Sequence, residues 1–266
     1  MKRPISVQDL NLHPKPGKRY WSSGRSWHEE IIYFLLVDRF HDGNERSVVS
    51  GAGKGFGTFE ELSKICGGTL IGVKKNLDYI KNLGCTAIWL SPVFENNPQS
   101  YHGYSIQNFL NIDPRFGTQN DLEELIELAH EKGMKVFLDI VLNHSGNNWY
   151  YQGQKQPDYN QDHSYDFGGW RSEELPIPVE LRNPEYYKRK GSIVNWDADP
   201  ETRQGDFFSL KKFNHEESLT GLALQEVLLK TYCYWIRETD CDGFRMDAAK
   251  HIGELPAARF SSKKAS

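Results

Sequence analysis

The sequence has few cysteines, no long apolar run and no excess of basic residues, and each shortage excludes a class of protein. None of the four cysteines among the 266 residues has the C-x-x-C spacing of zinc or dithiol sites, so we expect buried free thiols in a cytoplasmic protein. The longest apolar run, residues 31–37, is far shorter than the roughly 20 residues that span a bilayer. A net charge of -4 without a basic run argues against a nucleic-acid partner.

What the sequence does contain is an alternation of apolar strands and amphipathic helices. Short connections between such units are typical of a parallel sheet covered by helices. The pattern predicts four strands, at residues 31–37, 86–90, 135–142 and 243–247. Helices are predicted between the strands, at residues 70–83, 118–133 and 224–236.

Residues 145–218 interrupt this alternation. They are polar, rich in Tyr, Trp, Gly and Pro, and too many for a simple loop. We interpret them as a subdomain inserted after the third strand. The chain then divides into an N-terminal arm (1–28), an α/β domain built from two segments (29–144 and 219–266), and the insert.

Polar side chains follow the predicted strands at their C-terminal ends, where the chemistry of (β/α) barrels takes place. Arg245 and Asp247 share one face of the fourth strand because side chains alternate along a strand. We expect the third and fourth strands to be neighbours in the sheet, so that Asp139 can reach Arg245 sideways and support a charged Asp247. Such a fixed carboxylate suits covalent catalysis at a sugar carbon, with His144 donating to a substrate hydroxyl.

Two longer motifs and two shorter ones carry a resemblance to a known family. The longer motifs are Asp139-Ile-Val-Leu-Asn-His144 and Gly243-Phe-Arg-Met-Asp-Ala-Ala-Lys-His251; the shorter ones are Tyr101-His-Gly-Tyr104 and Val37-Asp-Arg-Phe40. Over residues 31–251 the chain resembles the alpha-amylase family of glycoside hydrolases. The resemblance implies a (β/α)8 TIM barrel with a domain inserted after the third strand. It also implies retaining hydrolysis or transfer at the α-glucosidic bonds of starch-like glucans or maltooligosaccharides.

The resemblance also implies roles for individual residues. Asp247 corresponds to the nucleophile that forms a glycosyl-enzyme, and Arg245 to its charge partner. The side chains that would line the sugar site are His102, Tyr104 and His144. Lys250 and His251 would face the leaving group.

A structural calcium ion is implied in the same way. Asn143 is similar to the family's calcium ligand, an amide oxygen suited to a hard cation. Asn195 would be a second ligand or a substrate contact.

The sequence departs from the family beyond the fourth strand. The family's acid/base Glu lies on the fifth strand and a further catalytic Asp follows the seventh, and neither strand is present. Glu254 lies too close to Asp247 in the sequence to occupy a separate strand, so we do not assign it the acid role. We therefore expect an apparently incomplete barrel of four strands, with little activity alone. Its unpaired edge strands predict self-association or dependence on a missing C-terminal half.

Two alternatives to an active glycosidase stay open. The first is a non-catalytic half-barrel that retains a carbohydrate-binding cleft. The second is a metal-dependent hydrolase that uses His144, His251 and Asp247, although these residues lack the H-x-H and H-E-x-x-H spacings of such sites.

Overall fold

A four-stranded parallel sheet forms the centre of the molecule. A computed structural model describes residues 3–44, 63–153 and 155–262. The strands of this sheet, in spatial order, are β1 (Ile32–Leu35), β2 (Ala87–Leu90), β5 (Lys135–Val141) and β10 (Gly243–Asp247). All three neighbouring pairs are parallel. Within the described ranges the sheet is open and does not close into a barrel.

The pairing of β5 with β10 confirms the expectation that the third and fourth predicted strands are neighbours. In the register of this pair, Arg245 lies opposite Asp139, and Asp247 lies opposite Val141. Every residue of β5 is buried, as its nearly continuous apolar sequence predicts. The sheet therefore brings the polar ends of two strands to a common edge.

Helices cover the sheet near the positions that their periodicity predicts. One predicted helix and one predicted strand differ from the prediction. The predicted helix at 70–83 is two helices, α2 (Leu70–Lys75) and α3 (Leu77–Asn82), because Asn76 leaves helical geometry and donates its side-chain amide to the carbonyl of Gly72 (2.8 Å). The predicted strand at 31–37 ends at Leu35, and a short helix, α1 (Val37–Phe40), follows. Helix α4 (Gln119–Glu131) begins at the predicted cap, Thr118.

A hairpin that sequence patterning did not predict follows β2. Strands β3 (Phe94–Asn96) and β4 (Ile106–Ile112) pair with two register shifts, which hide the period-2 pattern of a regular strand. Their connection carries the Tyr101–Tyr104 motif. The hairpin packs against α6 (Leu219–Thr239), where the indole N–H of the buried Trp235 donates to the carbonyl of Phe109 (2.8 Å).

Residues 145–218 contain short elements in place of long ones. The strands are β6 (His144–Ser145), which pairs with β9 (Lys211–Lys212), and β7 (Trp149–Tyr151), which pairs with β8 (Phe167–Trp170). The helical segments are 3-10 turns at Val179–Leu181 and Pro184–Tyr186 and one helix, α5 (Glu201–Gln204). The division of the chain into arm, α/β domain and insert stays a prediction.

The two ends of the described chain lie against α6. In the N-terminal segment, which includes 3-10 turns at Val7–Asp9 and Trp27–Glu29, Trp21 stacks on His130 of α4 (4.2 Å between ring centroids) and Tyr20 donates to the carbonyl of Arg237 (3.2 Å). After β10 come α7 (Ala249–Ile252) and α8 (Glu254–Ser262), and Phe260 of α8 packs on Tyr232. The described helices include none with the length and apolar character to span a membrane. All four cysteines are free thiols, and Cys85 and Cys241 are buried.

The β1 edge of the sheet exposes large apolar side chains. Ile32 is 49% exposed and Phe34 is 44% exposed, and β2 is the strand that pairs with β1 in the described part of the chain. Because open apolar edges template association, we expect the sedimentation coefficient to rise with protein concentration. Replacing Ile32→Lys should weaken this rise without changing the melting temperature by more than a few degrees.

The matched control is Leu219→Lys, which removes an exposed apolar side chain at the start of α6, away from β1. Sedimentation velocity on the three proteins compares them directly. A wild-type chain that is monomeric at every concentration, or an equal effect of both substitutions, would contradict association through β1.

A buried histidine makes the stability of this fold depend on pH. His215 is 9% exposed, and its Nε2 lies 2.6 Å from the carbonyl oxygen of Leu142. Burial lowers the pKa of His215 to about 3, and Lys212 and Lys188 act in the same direction. Between this pKa and the unfolded value of about 6.5, the unfolded chain binds the extra proton, so stability rises with pH.

We therefore expect His215→Gln, whose side-chain amide can still donate a hydrogen bond, to reduce the slope of the free energy of unfolding against pH. The reduction should be roughly 1 kcal/mol per pH unit between pH 4 and 6. Urea denaturation of both proteins at several pH values measures the two slopes. Above pH 7 the slopes should coincide. Parallel curves throughout the acid range would show that His215 is not kept neutral by the fold.

Candidate active site

A buried carboxylate organises the C-terminal edge of the sheet. Asp139, in β5, is fully buried and accepts hydrogen bonds from three side chains of other segments. The donors are the hydroxyl of Tyr104 (2.8 Å), the indole N–H of Trp89 (3.1 Å) and Nη1 of Arg245 (3.1 Å). Burial raises the pKa of Asp139 to about 6, while the bonds from Tyr104 and Arg245 act in the opposite direction. The predicted contact between Asp139 and Arg245 is confirmed.

Arg245 connects this buried carboxylate to a second, accessible one. Its Nη1 lies 2.6 Å from Oδ1 of Asp247, and its guanidinium lies over the ring of Trp89 (4.8 Å). Burial alone would lower the pKa of Arg245, but the two carboxylates outweigh it and raise that pKa. The Asp247 side chain is 20% exposed and that of Asp139 is 0% exposed. Asp247 is therefore the carboxylate of this pair that a ligand can reach.

The Tyr101–Tyr104 motif forms a tight turn beside these carboxylates. Gly103 has a φ of +88°, and a Cβ there would lie 2.3 Å from the carbonyl oxygen of Pro92, so the position needs glycine. The backbone N–H of Tyr104 donates to Nδ1 of His102 (2.9 Å), and the two rings are stacked with centroids 5.6 Å apart. Burial lowers the pKa of His102 and raises that of Tyr104, so both rings are neutral at pH 7.

His144 is fixed by hydrogen bonds at both ring nitrogens. Nε2 donates to the carbonyl oxygen of Tyr104 (3.0 Å), so Nδ1 is the acceptor for the amide of Asn143 (3.1 Å). Burial lowers the pKa of His144 to about 4, which keeps the ring neutral. A substrate hydroxyl could accept a hydrogen bond from His144 only by replacing the bond from Nε2 to the carbonyl oxygen of Tyr104.

The chain turns sharply after Asp247, before the next two predicted site residues, Lys250 and His251. Ala248 has a φ of 50°, a left-handed conformation that is uncommon for a residue with a Cβ. His251 is buried, its Nδ1 donates to the carbonyl of Thr202 (2.7 Å), and its ring packs on Phe207 (4.7 Å). Lys250 is exposed and lines a cleft together with His251, on a wall that does not include Asp247.

The residues implied as calcium ligands do not fit that ion. Asn143 is fully buried, but its Oδ1 accepts a hydrogen bond from the amino group of Lys212. Asn195 is exposed, and its Oδ1 accepts from the backbone N–H of Asp197 (3.1 Å). In residues 3–44, 63–153 and 155–262 we find no group of three His, Cys, Asp or Glu residues that could hold a metal ion. Calcium needs six to eight oxygen ligands, and the Oδ1 atoms of both asparagines already accept hydrogen bonds from other groups.

Sequence reasoning missed three residues that the fold places in the site. Trp89 was predicted only as part of a strand. Its place near the C-terminal end of β2, where the site lies, could have indicated a role in the site. Phe207 contacts the rings of both His144 (5.4 Å) and His251 (4.7 Å). Lys212 contacts Asn143. Phe207 and Lys212 lie in the region without periodicity, where no local pattern indicates their position in the fold.

Comparisons with known proteins agree with the geometry. The family model described as "Alpha amylase, catalytic domain" matches residues 34–265. An alpha-amylase of Streptomyces lividans is 34% identical over 230 residues, 70% of this chain and 24% of that protein. A cyclomaltodextrin glucanotransferase of Klebsiella oxytoca is 31% identical over 245 residues, 88% of this chain and 35% of that protein.

A solved structure shows the same relation. The alpha-amylase of Geobacillus thermoleovorans, complexed with acarbose, superposes with a TM-score of 0.65 at 33% identity, covering 89% of this chain and 44% of that one. The chain thus spans less than half the length of each of these three relatives. Since the family model matches most of the chain, the protein belongs to the alpha-amylase family of glycoside hydrolases.

Proposed function

We propose that this chain carries the nucleophile half of a retaining active site that hydrolyses or transfers the α-glucosidic bonds of starch-like glucans or maltooligosaccharides. The observation that carries the proposal is the chain of contacts Asp139–Arg245–Asp247, which leaves an accessible carboxylate held by a guanidinium. Membership of the alpha-amylase family supports the glucan as substrate class. The related structure complexed with acarbose supports it as well.

The proposed reaction begins with attack of an Asp247 oxygen on the anomeric carbon. The bond to the leaving oxygen breaks as the glycosyl ester forms, and the leaving oxygen takes up a proton. Water or a sugar hydroxyl then attacks the same carbon and releases Asp247. Arg245 favours the charged carboxylate at the start and at the end of this cycle. The neutral rings of His102 and Tyr104 provide a stacking surface beside it.

A second carboxyl group is needed to deliver the proton to the leaving oxygen, about 5 to 5.5 Å from the nucleophile in retaining enzymes. Glu254 is exposed at the start of α8, and no contact with Asp247 or Arg245 places it in this role. We therefore propose that the chain alone has little turnover and needs the other half of a barrel, or a partner copy, to complete the site. A cytoplasmic location also stays a prediction.

The two alternatives differ in support. A non-catalytic carbohydrate-binding half-barrel is favoured by the stacked rings of His102 and Tyr104 beside a cleft of 560 Å³. A metal-dependent hydrolase using His144, His251 and Asp247 is disfavoured, because His144 and His251 already donate to the carbonyls of Tyr104 and Thr202.

An activated substrate tests the nucleophile separately from the proton donor. Fluoride leaves without protonation, so 5-fluoro-α-glucosyl fluoride should form a stable glycosyl ester on Asp247 even in a chain that lacks an acid. We expect intact mass spectrometry to show one added fluoroglucosyl group, and peptide mapping to place it on Asp247. The substitution Asp247→Asn should abolish the label.

The matched control is Asp162→Asn, which alters an exposed carboxylate distant in sequence and should label like the wild type. With an unactivated maltooligosaccharide, which requires protonation, we expect no turnover. A label on another residue would contradict the role of Asp247. Clear turnover that Asp247→Asn abolishes would contradict the predicted inactivity of the chain.

The ring of Tyr104 can be tested in the same proteins. If the ring stacks on a sugar, Tyr104→Ala should raise the Kd for a maltooligosaccharide about fivefold, because aromatic stacking contributes about 1 kcal/mol. Tyr104→Phe keeps the ring and loses the bond to Asp139, so its Kd should change less. Isothermal titration calorimetry measures all three. Equal weakening by the two substitutions would assign the effect to the hydroxyl instead.

A further inference from the structure

A lysine side chain is completely enclosed where three segments of the site rim meet. Lys212 lies in β9, opposite His144 of β6, and is 2% exposed. Its backbone N–H donates to Oδ1 of Asp206 (2.9 Å). Long charged side chains are seldom fully buried without a specific set of partners, so the position calls for a physical explanation.

The amino group of Lys212 bridges two oxygens from different parts of the chain. It donates to Oδ1 of Asn143, just after β5, and to the backbone carbonyl of His251 in α7 (2.7 Å). The protonated group has three N–H donors and the neutral amine has two, so both acceptors are satisfied in either state. Burial lowers the pKa of Lys212 to about 7, with Lys188 acting in the same direction and Asp206 opposing it.

The same two oxygens are the kind that a hard cation takes as ligands. One is a side-chain amide oxygen, and the other is a backbone carbonyl oxygen. The nitrogen of Lys212 already occupies the space within bonding distance of both. A metal ion could bind both oxygens only if the lysine side chain, which is 2% exposed, moved out of this position.

The buried carboxylate next to this lysine is committed to other partners. Oδ2 of Asp206 accepts from the hydroxyl of Tyr151 (2.7 Å) and the amide of Gln156 (3.0 Å), and it lies 3.7 Å from the amino group of Lys211. The buried carboxylate of Asp206 is therefore paired with Lys211 and hydrogen-bonded to neutral groups.

We propose that the amino group of Lys212 takes the position of a structural cation in this chain, joining Asn143 to His251, so that the rim of the site is held together without calcium. This corrects the expectation of a calcium ion at Asn143. The inference concerns the integrity of the rim and does not depend on the proposed glucosidase activity.

Calcium content and its effect on unfolding test the proposal in the wild-type chain. After dialysis against calcium-containing buffer and desalting, elemental analysis should find far less than one calcium per chain. The melting temperature should be the same in calcium chloride and in EDTA. One retained calcium per chain, or a lower melting temperature in EDTA, would overturn the proposal.

Two substitutions at the same position separate the loss of the amine from the gain of an oxygen ligand. Lys212→Met keeps the stem but leaves two buried acceptors without a donor, so the melting temperature should fall by about 5 °C or more. Lys212→Asp places a carboxylate beside the same two oxygens. Its melting temperature should rise by about 5 °C in saturating calcium, and that of Lys212→Met should not respond.

These variants also provide outcomes against the proposal. Unchanged stability of Lys212→Met would show that the bridge holds nothing together. No response of Lys212→Asp to calcium would show that the position does not suit a cation. If Lys212→Met fails to fold, the calcium content and EDTA response of the wild-type chain still decide.

Discussion

The active-site edge of this protein depends on one fully buried carboxylate, that of Asp139. A charge without water is costly unless several donors surround it, and here Tyr104, Trp89 and Arg245 come from three different segments to do so. Satisfying Asp139 therefore brings the β3–β4 connection, the end of β2 and β10 together. The same Nη1 atom of Arg245 also donates to Asp247, so the buried charge of Asp139 helps to determine the position of the accessible carboxylate.

A second buried polar contact joins the region after β5 to the region after β10. Lys212 reaches Asn143 on one side and His251 on the other, while His144 is held between Asn143 and Tyr104. Both contacts use groups that are costly to leave unpaired, so these hydrogen bonds help to specify the rim together with the packing of Phe207 on His144 and His251. The neutral histidines follow from the same burial.

Much of the sheet could be predicted from the chain itself. The apolar run of β5, the caps of α4 and the alternation in β10 are local patterns, and local patterns suffice to place Arg245 and Asp247 on one face. The β3–β4 hairpin could not be predicted, because its register shifts remove the periodicity. The break at Asn76 depends on a competing side-chain bond that composition alone does not reveal.

The sequence by itself determined that Arg245 and Asp247 share one face of a strand, and the family to which the chain belongs, because both rest on short-range spacing. Only the tertiary structure decided that Trp89 supports Asp139, that both nitrogens of His144 are engaged, and that a lysine lies where calcium was expected. The reason is physical: these contacts join residues up to about 70 positions apart, and no local pattern encodes which buried donor will meet which acceptor.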